Sequence, residues 1–311
     1  MIKTVLKWEA PLENPIYGGL YPVRDPFEQS CFYIGDGWGS SYPSMKLRKL
    51  SLDNGMEKAA FPVKNAVRCI YINNRRLFAA TDNKIWILQR EDLTLEKKIE
   101  KTSLKYPDYL AADDGNNLLM MNHRGSYLAI MDYRENLTRK KKIAQSCRGI
   151  IRQNPEVYLV MDGFGGEIIP YHLADDKRDV IIEDKPFSQA KIGHGDKVFL
   201  RGGTITDNQG VPVVTPNREF RIVDVRSGNR IDEFDIPLDY EHFYLSGDQN
   251  DLYLIKGDDL HIFPLKEKRI TASQSTGGDT EIIGFFPGDD LLFTRVYNEN
   301  ILGCYRLEPG R

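Results

Sequence analysis

Asp113-Asp114-Gly115-Asn116, then Leu118-Leu119-Met120, then Tyr127-Leu128-Ala129-Ile130-Met131 reads as a polar turn followed by two short apolar runs. Neither run carries the i, i+3, i+4, i+7 spacing of an amphipathic helix, and both have the length of a strand. The unit recurs along the chain. Counterparts of its first run are Cys31-Phe32-Tyr33, Leu77-Phe78-Ala79, Val157-Tyr158-Leu159, Val198-Phe199-Leu200, Leu252-Tyr253-Leu254 and Leu291-Leu292-Phe293, which makes seven. Their starting positions are separated by 46, 41, 39, 41, 54 and 39 residues, intervals centred on the length of a four-stranded propeller blade with two insertions.

The second run also has counterparts, at Lys84-Ile85-Trp86-Ile87-Leu88 and Phe220-Arg221-Ile222-Val223-Asp224. A charged turn and a polar strand follow it, as in residues 91–99 and 226–232. An outer strand facing water should be polar, because charge there discourages pairing between sheet edges. Arg139-Lys140-Lys141-Lys142 falls on such a strand and is read as a solvated edge. The acidic turns at 246–251 and 287–290 lack the Glu at position twelve that completes a calcium loop, so they are read as tight strand connections.

The last unit supplies three strands, near 281–286, 290–297 and 301–307, so one is missing. The first eight residues have the mixed polar and apolar character of an outer strand and fit beside Ile301-Leu302-Gly303-Cys304-Tyr305. Closure by the N-terminus explains both odd ends and removes an open sheet edge. The prediction is an all-β, seven-bladed β-propeller closed by its N-terminal strand. It is one domain over 1–311, with blades near 16–63, 66–100, 106–144, 147–184, 187–237, 240–276 and 279–309 plus 1–10.

Composition bounds the function. With 14 Phe, 16 Tyr and 41% hydrophobic residues the chain fills a substantial core. A formal charge of -3 gives no general attraction for phosphate backbones, so nucleic acid is not an expected partner. No stretch approaches the 18 apolar residues of a membrane span and the start lacks a signal-peptide pattern, so a cytoplasmic protein that binds no membrane is expected. Cys31, Cys69, Cys147 and Cys304 form no CxxC and sit in strand-like runs, as buried thiols would. His172, His194 and His261 show no metal-ligand spacing, and no cofactor or metal is expected.

The repeated units resemble the broad superfamily of seven-bladed propellers that includes the YVTN and quinoprotein-like types. The resemblance lacks a recurring Trp-Asp at strand ends, the Gly-Gly pair of kelch repeats and the Asp-box pattern. It implies that the first strand of each blade lines a central channel, and that ligands approach the face bearing the loops between blades and between second and third strands. Nine or ten residues before each apolar run the residue is polar in six successive blades: Arg68, Asp108, Arg148, Gln189, His242 and Glu281. At one height around a channel they would either pair among themselves or converge on a small polar ligand, with the Arg forks holding an anion. In the first blade Tyr17 lies close to the equivalent place.

The same face should receive four irregular segments, carrying Trp38 and Tyr42, His123 and Arg124, Phe164, and the long insertion from Arg201 to Asn217. Loops on a rigid scaffold commonly carry recognition, and an aromatic among glycines is a typical anchor. Two functions follow as expectations. One is a recognition propeller that holds a peptide, a small anionic ligand or a protein partner at the channel mouth. The alternative is an enzyme, a lyase, a hydrolase such as a lactonase, or an isomerase, acting on a small polar metabolite with His242 and Glu281 as an acid-base pair.

Overall fold

The computed structural model describes residues 2–14, 20–36, 45–102, 104–113, 115–122, 127–153, 157–173, 177–178, 182–183, 185–193, 195–296 and 299–309. Its strands form seven antiparallel sheets in chain order, a seven-bladed β-propeller. Blade 1 contains β2 (Val23–Arg24), β3 (Cys31–Gly35), β4 (Lys46–Ser51) and β5 (Glu57–Pro62). Blade 2 contains β6 (Cys69–Ile72), β7 (Arg76–Ala80), β8 (Ile85–Gln89) and β9 (Leu95–Ile99). Blade 3 contains β10 (Tyr109–Ala112), β11 (Asn117–Met121), β12 (Tyr127–Asp132) and β13 (Leu137–Lys142). Blade 4 runs through β14 (Cys147–Arg152), β15 (Val157–Asp162) and β16 (Glu167–His172), and two short strands, β17 (Lys177–Arg178) and β18 (Ile182–Glu183), both pair with β16. Blade 5 contains β19 (Phe187–Ile192), β20 (Lys197–Asn208), β21 (Val211–Asp224) and β22 (Arg230–Asp235). Blade 6 contains β23 (His242–Leu245), β24 (Asp251–Lys256), β25 (Asp259–Pro264) and β26 (Ala272–Ser275). Blade 7 contains β27 (Thr280–Phe286), β28 (Leu291–Val296) and β29 (Ile301–Pro309), completed by β1 (Ile2–Pro11). Among the described residues no helix is long and apolar enough to cross a membrane.

The recurring apolar run is the second strand of each blade. It is buried along almost its whole length, as in β3, β11 and β15, because it has apolar neighbours on both faces of its sheet. Contacts divide the chain into two compact units. One holds blades 1, 2, 6 and 7 with the N-terminal strand, and the other holds blades 3, 4 and 5.

In the first unit β1 pairs antiparallel with β29 from Ile2↔Pro309 to Pro11↔Ile301, so the N-terminus supplies the fourth strand of the last blade. A register shift between Leu6 and Trp8 re-aims the indole inward. Trp8 is 8% exposed and packs on Phe32 and Phe293, both at 6.2 Å between ring centroids, while its indole N–H donates to the Leu52 carbonyl at 2.9 Å. One side chain on β1 thus ties blade 7 to blade 1. Gly55 turns directly beneath it at φ 70°, where a Cβ would lie 2.6 Å from the indole.

Blades 1 and 2 share a buried ionic network. Lys49, 1% exposed, donates to Glu28 at 2.6 Å and to the Glu91 carbonyl at 3.1 Å. Arg90 donates to the fully buried Asp25 at 2.9 Å, and the Tyr33 hydroxyl lies 2.9 Å from the same carboxylate oxygen. These charges carry their counter-charges with them, which is the condition for burying them. The hydrogen bond from Lys49, helped by those from Cys31 and Lys58, lowers the Glu28 carboxyl to about 2.

Two outcomes are expected. Trp8→Ala lowers the unfolding free energy by about 3–5 kcal/mol in urea titration, because it removes a buried aromatic and leaves the Leu52 carbonyl without its donor. Glu28 is held below its unfolded value, so its stabilisation is present above about pH 4.5 and is lost as pH falls toward 2. Melting temperatures followed from pH 5 to pH 2 should therefore fall less steeply for Glu28→Gln than for the parent chain.

Candidate functional site

A groove in the second unit is organised by one carboxylate. Asp162 ends β15, is 2% exposed, and accepts four backbone N–H groups. Its Oδ1 accepts from Ser146 at 3.0 Å, Phe164 at 3.1 Å and Gly165 at 3.3 Å, and its Oδ2 accepts from Gln145 at 2.7 Å. It therefore fixes the connection leading into blade 4 and the turn between second and third strands together. Gly163 closes the structure: its N–H donates to the Ser146 carbonyl at 2.9 Å and its carbonyl accepts from Phe187 at 2.8 Å. A Cβ here would lie 2.3 Å from the Phe187 carbonyl oxygen and 2.5 Å from Cγ of Arg148, so no other residue fits.

Arg148 sits in a bulge of β14, where the register against β15 shifts between Cys147 and Gly149. A bulge re-aims the side chain it carries. The Arg148 Nε is buried and has no hydrogen-bond partner among the described residues. Phe164 is half-buried beside it.

The opposite wall comes from blade 5. β20 and β21 run past their neighbours as a two-stranded arm, paired from Gly203↔Pro216 to Asn208↔Val211. Sequence reasoning expected an irregular loop here, yet the β-branched runs Thr204-Ile205-Thr206 and Val213-Val214-Thr215 favour strands. Gln209 at φ 55° and Gly210 at φ 80° make the two-residue turn that suits a twisted hairpin. Prolines 212 and 216 fall at positions whose N–H would face away from β20, because the pairs flanking the turn and every second pair after it carry the ladder bonds. Ile205 and Val211 remain 44% and 59% exposed. Between the arm and blade 4 lies a groove of about 320 Å³, lined by Gln145, Ser146, Arg148 and Phe164 on one side and Val211–Val214 on the other.

Two residues singled out in the sequence, Arg148 and Phe164, thus meet in one groove. Gln189 follows a bulge on β19 and faces Arg201 in the β20 register. The Asp108 N–H bonds the Met121 carbonyl at 3.0 Å just before β10, and the Arg68 N–H bonds the Ala80 carbonyl at 2.8 Å just before β6. In the first unit Glu281 on β27 lies opposite Arg295, whose Nε donates to it at 2.8 Å. His242 opens β23 and meets Tyr21 edge-on at 6.5 Å between centroids. Burial raises the Tyr21 hydroxyl above its ordinary range, opposed by Arg295 and reinforced by Glu281 and Glu241. Tyr17, Trp38, Tyr42, His123 and Arg124 lie outside the described residues. Of the thiols, Cys31, Cys147 and Cys304 are buried, while Cys69 is only half-buried on the first strand of blade 2.

No family model and no curated relative matches the sequence. Among solved structures, the chain is similar to the WD40 domain of Neurospora crassa Pan2, with a TM-score of 0.70 over 99% of this chain and 96% of that one at 8% identity. At that identity the likeness concerns the fold, and it holds although the Trp-Asp signature is absent from the repeats.

Asp162→Ala should lower the unfolding free energy by about 3 kcal/mol, because it strands several buried N–H groups. Asp162→Asn, which keeps the Oδ1 acceptor and loses only the partner of Gln145, should cost about 1 kcal/mol. Equal losses from the two variants in urea titration would contradict the organising role given to this carboxylate.

Proposed function

We propose that the chain is a recognition propeller that holds a peptide or protein partner on the face where the blade 4 turn and the blade 5 arm meet. The arm is the observation that carries this reading. A paired ribbon that leaves its blade adds little to the core, yet it presents Ile205 and Val211 to solvent, Val211 at the wall of a groove that Phe164 also lines. Apolar surface held out on a rigid element is costly unless something covers it. Arginine is enriched among the residues that dominate interface energetics, and aromatic residues, phenylalanine included, are enriched in interface cores. Gln189, on the first strand of blade 5, belongs to the same reading as an adjacent polar contact. The acid-base reading of His242 with Glu281 is not carried further, because the Glu281 carboxylate is engaged by Arg295.

The test shortens the arm. Thr204 and Thr215 form a hydrogen-bonded pair in the ribbon, so replacing 205–214 by Asn-Gly closes the hairpin with a compatible turn. Of the residues removed only Val214 is buried, so the shortened chain should melt within about 5 °C of the parent, consistent with a loss of about 2 kcal/mol. It should also lose the proteins that the parent captures from an extract of its source cells. Capture of the same proteins by both forms would refute the assignment.

A further inference from the structure

We propose that the groove between Phe164 and the blade 5 arm takes an internal acidic segment of a partner protein, with an Asp or Glu side chain on Arg148 and an adjacent aliphatic side chain between Phe164 and Val213–Val214. This deepens the recognition reading above and rests on it.

Three observations select that occupant. The first is charge. Arg148 is the one charged side chain among those lining the groove, and its Nε is buried with no acceptor among the described residues. A guanidinium fork pairs best with a planar two-oxygen acceptor, and a carboxylate entering the groove would meet this one cation.

The second is the state of the neighbouring backbone. Terminal carboxylates and phosphates are usually captured by several converging N–H groups. Here those groups are already engaged. The N–H groups of Gln145, Ser146, Phe164 and Gly165 donate to Asp162, and that of Gly163 donates to the Ser146 carbonyl. What remains to meet an anion is side chains, one guanidinium with the Gln145 amide and Ser146 hydroxyl on the same wall, which suits an acidic residue within a chain better than a free terminus or a phosphate dianion.

The third is the wall. Pro212 and Pro216 remove donors from the outer edge of β21, so the partner is not added to the ribbon as another strand along that edge. Phe164 and Val211–Val214 offer apolar contact instead, in about 320 Å³, space for a few side chains of a short segment. Side-chain insertion, with the acid fixing its position, is the mode that these walls allow.

The experiment selects random twelve-residue peptides on immobilised full-length chain. Enriched sequences are then synthesised with both ends blocked, and their binding is measured by fluorescence anisotropy. Enrichment of an Asp or Glu beside an aliphatic residue is expected. Replacing that acid by its amide, or making Arg148→Gln, should each weaken binding by about tenfold or more, and the two together should cost little beyond either alone. Arg148→Lys should recover part of the loss, and Phe164→Ala should weaken the same peptides while melting like the parent. Peptides that depend on Phe164 but on neither Arg148 nor an acid would overturn the acidic-segment proposal and leave the recognition surface standing. A requirement for an unblocked C-terminus would also overturn it. Binding indifferent to both Phe164→Ala and Arg148→Gln, or no enrichment at all, would overturn the proposal together with the surface on which it rests.

Discussion

A sheet whose strands are apolar on both faces has to be covered on both, and that requirement shapes the rest of this molecule. β3 is buried at every position, and so are the central residues of β7, β11 and β28. Such strands have no solvent face to give up. The last blade meets the requirement by taking its outer strand from the other end of the chain, and Trp8 on that strand reaches past its own sheet to Phe32 and the Leu52 carbonyl of blade 1. The closing contact therefore carries covalent, ladder and packing constraints at once. Without it, the apolar cluster of Phe32, Phe286, Phe293 and Leu302 would lose one of its walls.

On such a scaffold a site needs few residues of its own. Asp162 holds two backbone segments in register, Gly163 allows them to approach blade 5, and the bulge at Arg148 turns a strand residue toward the resulting groove. Neither Asp162 nor Gly163 is exposed enough to be mistaken for a ligand contact. Their effect is to make the positions of Phe164 and Arg148 consequences of packing rather than of loop flexibility, which is the support that a recognition site requires.

Much of the fold was legible because the second strands repeat at blade spacing and the final unit is one strand short. The closing strand followed from that deficit alone. The site was legible only in part. Phe164 stood out as an aromatic between glycines and Arg148 as a cation at a strand start, but their meeting depends on the arm, which in sequence is a long insertion between blade strands. A proline argues against a strand only where a backbone N–H is needed, and at 212 and 216 the nitrogen faces away from β20. The expectation of a polar ring at one height rested on a near-constant offset from the apolar runs, and an offset does not show the register shifts at Cys147/Gly149, Phe187/Gln189 and Ile282/Gly284, because bulges leave little trace in sequence. The pairing of Glu281 with Arg295 went unseen because it runs across two strands 14 residues apart, where only the register brings the charges opposite.

The central claim is that binding is located at the groove between the blade 4 turn and the blade 5 arm. Backbone hydrogen exchange, compared in the free chain and in the chain saturated with a captured partner, tests it most directly. The account expects added protection at 145–148, 163–166 and 204–214, with the blade 6 and blade 7 strands that carry His242 and Glu281 unchanged. Protection centred on those two strands, with the arm exchanging as in the free chain, would contradict it.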